Sequence, residues 1–316
     1  MADTLFEIAL KKRKISLLEQ LIPYQHLTSE RRAAIIKQFM STKNTFVMPL
    51  IHTLESKEDI QACLYPAIFH KKVDAVKLLL EKGANPNKRS EYGQIPFHYA
   101  VSTKEAHREL IEALIQYGAD VNVKNKYSAT PISLAASYGN LELLQLLEEK
   151  GATINEDVLR SAATSSRFEV VNYLLKKGIP VTHKVYFMVM MMNKKEMANY
   201  LFQYDPLFKL TPTPNYNVLS IAACKNYLDL ILKMMKRGLP EDEEEKKMIC
   251  STALIAAIDS GHLHLLPIFF EHGADINCII DDETPLDVAR YNRNTAIIKW
   301  IKERGGVSSG IKKLPI

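Results

Sequence analysis

The chain has 316 residues, 47% of them hydrophobic and 24% charged, with a net charge of +5, an ordinary composition for a folded, water-facing protein and too weakly basic for the cationic stripe of a nucleic-acid binder. No apolar run approaches the roughly 18 residues of a membrane span. The four cysteines (Cys63, Cys224, Cys250, Cys278) lie far apart with no Cys-x-x-Cys pair, which excludes a disulfide framework and fits a reducing compartment.

At the N-terminus the charges of Lys11, Lys12, Arg13 and Lys14 follow only a very short apolar patch. That is the wrong order for a signal peptide, so a soluble, cytoplasmic protein is expected. Residues 4–10 and 15–22 read as a helix pair, and 28–54 as another, with Thr28 or Ser29 as N-cap and Pro49 inside the second segment. We read 1–55 as helical N-terminal capping units.

From residue 56 onward one pattern repeats. Amphipathic segments such as Val73, Val76, Leu79 and Leu80 run into glycines at positions 83, 118, 151, 178, 238, 273 and 305. The gaps are 35, 33, 27, 60, 35 and 32 residues, and the 60 divides if Asp205 takes a glycine slot. Each glycine falls where a helix C-terminus needs a left-handed residue. Ahead of each lies a short helix, often opened by Thr-Pro or a relic of it: Ile95-Pro96-Phe97-His98, Thr130-Pro131-Ile132-Ser133, Thr252-Ala253-Leu254-Ile255 and Thr284-Pro285-Leu286-Asp287. Threonine caps such a helix and proline suits its first turn. After three of the glycines come Ala84-Asn85-Pro86-Asn87, Ala119-Asp120-Val121-Asn122 and Ala274-Asp275-Ile276-Asn277.

These residues resemble the ankyrin repeat, whose signature is Thr-Pro-Leu-His-x-Ala-Ala, a second helix and Gly-Ala-Asp-x-Asn. The resemblance implies an all-α solenoid of stacked helix-turn-helix units, about eight over 56–305, with β-hairpin fingers that are short or missing, followed by a loose tail over 306–316. Units ending at Gly178 and Asp205 lack most of a finger. The unit from Ser90 carries two extra residues near Lys104 and Glu105, and the acidic run Glu241–Lys247 replaces a finger with a solvated loop or helix start.

The family also implies a partner protein bound on a concave face of finger tips and first helices, without cofactor, metal or catalysis, by a monomer. Carried over position by position, that face offers Phe69, Tyr92, Gln94, Thr103, Lys126, Tyr127, Tyr138, Met191, Met192, Lys225 and Tyr291, with Tyr92, Tyr127 and Tyr138 as its centre. Met191 and Met192 sit in a methionine-rich run that offers an adaptable groove for an apolar peptide. Two other readings stay open: an enzyme with a thiol-dependent site near Cys224, beside Lys225, and a phosphate or nucleic-acid binder using the basic run 11–14. His262, His264 and His272 invite a metal, but His262 fills the family's Gly-His slot, and zinc wants three or four convergent ligands. His98 falls where the family's imidazole bonds neighbouring backbone. Eroded repeats rich in lysine, asparagine and isoleucine resemble effectors that intracellular bacteria secrete into the host cytoplasm, with a eukaryotic or viral protein as the alternative.

Overall fold

The computed structural model describes residues 8–9, 11–12, 14, 17, 28–40, 47–90, 93–102, 107–205, 208–210 and 217–310. It forms two compact units, Met1–Ile154 and Asn155–Ile316. Both are helical, and among the described residues the sole strand pairing is an isolated antiparallel bridge between Ile280 and Glu283.

In the first unit the helices come in pairs: α1 (Ser29–Phe39) with α2 (Val47–His52), α3 (Lys57–Phe69) with α4 (Val73–Glu81), α5 (Pro96–Val101) with α6 (Arg108–Gln116), and α7 (Pro131–Tyr138) with α8 (Leu141–Glu149). Each first helix packs on its own second helix and on the first helix of the next pair. The side chains that meet are small or aliphatic. Ala67, Ala135 and Ala136 are fully buried, so neighbouring backbones approach closely, and Leu79, Leu114, Leu144 and Leu147 fill the space between. Thr28, of the two candidate caps, accepts from the Arg31 amide. Thr130 closes a capping box with Ser133, whereas Ile95 at the same slot of α5 has no hydroxyl to offer.

Between units of the array the fingers are tied down by asparagine. The Asn122 carboxamide donates to the Gly151 carbonyl at 3.1 Å and accepts from the Thr153 amide at 2.9 Å. Asn87 repeats this on Gly118 (2.7 Å) and Asp120 (2.9 Å). Within the second unit Asn277 does it again on Gly305 (3.3 Å) and Val307 (2.8 Å). A carboxamide holds an N–H donor and an oxygen acceptor side by side in one plane, so it pairs with a backbone edge as a strand would. The glycine supplies that edge: Gly151, at φ 89°, turns the chain out of α8 and leaves its carbonyl pointing at the finger.

The second unit pairs α9 (Glu156–Thr164) with α10 (Phe168–Lys176), α11 (His183–Met191) with α12 (Lys195–Tyr204), and α13 (Val218–Cys224) with α14 (Leu228–Gly238). Then come α15 (Glu243–Asp259) with α16 (Leu266–Glu271), and α17 (Pro285–Tyr291) with α18 (Thr295–Lys302). Asn155 caps α9 four residues after Gly151. The finger that carries the isolated bridge, at Ile280–Glu283, turns through Asp281 and Asp282, both left-handed, as a two-residue hairpin requires.

Four sequence expectations are corrected here. Gly238 is not a left-handed stop. It is the last residue of α14, and a methyl on it would lie 2.7 Å from the Phe208 ring, so close approach is what demands glycine. Asp205 has extended, not left-handed, backbone. The Arg237 guanidinium instead reaches the Phe202 and Asp205 carbonyls at 2.6 and 2.9 Å, satisfying the helix end from the next repeat. Thr252 opens nothing: α15 begins at Glu243, capped by Asp242, and the Thr252 hydroxyl donates to the Met248 carbonyl within the helix. The acidic run is therefore a helix start, where carboxylates favour the N-terminal dipole. Lastly, the stretch after Gly305 does not begin loose, for Ser308 and Ser309 both donate to the Asp287 carboxylate. Burial works to raise the pKa of Asp287, but these bonds and that of Thr284 hold its carboxyl well below the usual carboxylate range. Residues 311–316, Lys104–Glu105 and most of 1–27 lie outside the described residues.

Asn122→Ala removes two inter-repeat bonds at a solvent-facing site, each of net value about 0.5–1.5 kcal/mol. Urea unfolding of this variant is expected to show a loss of about 1–2 kcal/mol, and no loss would contradict the clasp.

Candidate functional site

The sequence-predicted surface divides between the units. In the first, α3 turns one face inward with Ile60, Cys63, Leu64, Ala67 and Ile68 buried. Its other face, Glu58, Gln61, Ala62, Tyr65, Pro66 and Phe69, follows helical spacing and lines a groove of about 730 Å³. Opposite stand Lys37 of α1, Tyr99 of α5 and the finger residues Lys88, Arg89, Ser90 and Gln94. Phe69 is 58% exposed, an unusual position for a phenylalanine, and stacks on Tyr99 with centroids 5.8 Å apart. His70 meets the Phe69 ring edge-on. Burial and the neighbouring Lys72 lower the affinity of His70 for a proton, so its ring is neutral at pH 7. The Tyr65 hydroxyl donates to the Gln94 carbonyl, and Ser90 closes the finger by donating its amide to the same carbonyl at 2.8 Å. Pro66 sits inside α3 and has no N–H, so the helix forgoes one internal hydrogen bond there.

Phe69 and Gln94 are thus brought together. On the following finger the Lys126 ammonium lies 5.0 Å from the centre of the Tyr127 ring, which is 76% exposed. The two fingers are linked, because Arg89 donates to the Lys124 carbonyl at 3.0 Å. Tyr138 is partly exposed at the end of α7. Tyr92 and Thr103 lie outside the described residues. Position-by-position transfer missed Tyr65, Tyr99, Lys37 and Lys88. The α3 face was legible as a period in the sequence, whereas its closure by a finger was not.

In the second unit Met191 and Met192, each about half exposed, end the first helix of their repeat. Lys225 is half-buried after α13, and Tyr291 is 78% exposed at the end of α17. A cavity of about 590 Å³ in these repeats is lined by Ile179, Pro180, Tyr186, Tyr204 and Phe208 among others.

A sequence model described as ankyrin repeats in three copies matches residues 5–125, 97–185 and 219–312. The chain belongs to the ankyrin-repeat family. It is 40% identical over 76 residues to an ankyrin repeat protein of Acanthamoeba polyphaga mimivirus, covering 24% of this chain and 10% of that one. An ankyrin repeat protein of Rickettsia felis is 40% identical over 77 residues, 23% of this chain and 33% of the relative. One of fowlpox virus is 31% identical over 161 residues, 46% and 24% respectively. The matched segments are a third or less of each relative's length. Ankyrin repeats are protein-interaction modules, and no helix among the described residues is long and apolar enough to cross a membrane.

Of His98, His262, His264 and His272, three bond neighbouring repeats and one bonds its own helix. His98 Nε2 bonds the Ala129 carbonyl at 2.8 Å, and burial lowers its proton affinity despite that bond. His262 and His264 reach back to the Cys224 carbonyl (3.1 Å) and the Asn226 side chain (2.8 Å), and His272 bonds Ile268 (2.7 Å). His262 therefore meets the Cys224 backbone and not its sulfur. Lys11, Lys12 and Lys14 are exposed where a helix ends.

Burial pushes the Cys63 thiol up to about 12 and those of Cys250 and Cys278 up to about 11, while Cys224 is exposed. A thiol reagent at pH 8 is expected to modify one cysteine quickly, with that phase absent from Cys224→Ser and the others reacting on unfolding. Two or more fast thiols in the folded protein would contradict this.

Proposed function

We propose that this ankyrin protein is a non-catalytic binding module that holds a partner protein on the concave face made by its finger turns and first helices. The observation that carries the reading is the placement of large aromatic side chains where packing has no use for them. Phe69, Tyr127 and Tyr291 are all more than half exposed, and each sits at a finger or at the end of a first helix. Exposed aromatics are costly to leave in water and are the usual energetic centres of interfaces. Lys126 and Gln94 supply polar contacts beside them, and Tyr138 extends the line along α7. We place Met191, Met192 and Lys225 on the same kind of surface in the second unit, with the chain acting as a monomer in the cytoplasm.

Tyr127→Ala combined with Tyr138→Ala is expected to weaken the partner by about 2 kcal/mol or more, roughly 30-fold, while the melting temperature stays nearly constant. Capture from host-cell lysate with this variant as the control reads the effect, and retention of the same partner by both proteins would remove the site.

We further propose that the protein works as an effector inside a host cell. Likeness to a protein of Rickettsia felis and the eroded, lysine-rich repeats support this. A reporter fused to the chain is expected to reach the host cytoplasm from the source organism, and failure to transfer would sink the idea.

A further inference from the structure

The groove between α3 and the first finger has a chemistry of its own. Its long floor is aromatic: Tyr65, Phe69 and Tyr99 run along it, with Phe69 stacked on Tyr99. Its rim is basic. Lys37, Lys88 and Arg89 line it against a single carboxylate, Glu58. His70 adds ring and no charge at pH 7. In the sequence of the next finger Lys124 and Lys126 follow the same bias. The groove's cations come from two elements, α1 and the first finger. The volume of about 730 Å³ falls within the range of sites that hold a few side chains.

We propose that this groove binds an extended acidic peptide segment of the partner, anchored by one aromatic side chain. The anchor lies against Phe69 and Tyr99, and its flanking carboxylates meet Lys37 and Lys88. A peptide meets both demands at once: flat apolar surface and spaced negative charge. A nucleic acid would ask for a denser row of cations along its phosphates than three set against Glu58. The proposal rests on the binding-module reading and names the part of the partner that this one groove takes.

Fluorescence anisotropy with the full-length protein tests it. The probe is a labelled ten-residue peptide of glutamate and aspartate with one central phenylalanine. Controls are the same peptide with alanine for phenylalanine, a lysine version, and a single-stranded oligonucleotide of equal charge. The acidic aromatic peptide is expected to bind at least tenfold more tightly than each control. Lys37→Glu with Lys88→Glu is expected to weaken it at least tenfold, and Phe69→Ala severalfold. These side chains are exposed, and circular dichroism checks that each variant keeps its helices. Equal binding of the lysine peptide or the oligonucleotide, or indifference to both sets of substitutions, overturns the groove assignment. The tyrosine double variant separates the two readings. If it loses the captured partner while the peptide never binds, the groove falls and the module stands. If the peptide binds and charge reversal abolishes it, the groove stands whatever the tyrosines do.

Discussion

One interaction recurs wherever the repeats are regular: a carboxamide from a finger closing on the backbone at the next helix stop. Asn87, Asn122 and Asn277 each make it, and each pair of bonds fixes how one repeat lies on the next. A repeat array has no central core, so its stability resides in nearest-neighbour terms of this kind together with the alanine and leucine packing behind them. Where the clasp is missing, other devices stand in. Around Asp205 the guanidinium of Arg237 reaches across from the following repeat and lies over the Phe202 ring at 3.7 Å. The repeats there keep their stacking with a different chemistry, and Gly238 is held to glycine by the Phe208 ring, not by a turn.

The regular architecture was legible because it is local. Thr130 and Thr284 cap their helices as the Thr-Pro motif promises, and the left-handed glycines fall at the expected period. The misreadings were of residues whose role depends on a distant partner. Thr252 looks like an opener until the charged run before it is seen to be helix, since three glutamates at an N-terminus stabilise what their charge alone suggests is loop. Asp205 and Gly238 took their places in a count, and neither does what the count assumed. Ile95 shows the converse. It replaces a capping threonine, and His98 Nδ1 beneath it is buried without a partner, a small cost that the period alone does not reveal.

The candidate site was legible in kind and partly in place. Family positions pick out Phe69, Gln94 and Tyr127, which share exposure because packing does not use them. They do not pick out Tyr65 or Tyr99, which also pack in the array and yet form the groove floor. A residue with both duties escapes any rule that assigns each position one. Met191 and Met192 are exposed as expected, and a cavity in those repeats is lined by tyrosine, proline and phenylalanine.

The finger that presents Lys126 and Tyr127 is also the finger whose Asn122 grips Gly151 and Thr153. In the proposed binding mode, recognition and inter-repeat coupling would share one short run of backbone. A ligand that stilled the tip would also still the clasp, so part of its binding free energy would reappear as cooperativity between adjacent repeats.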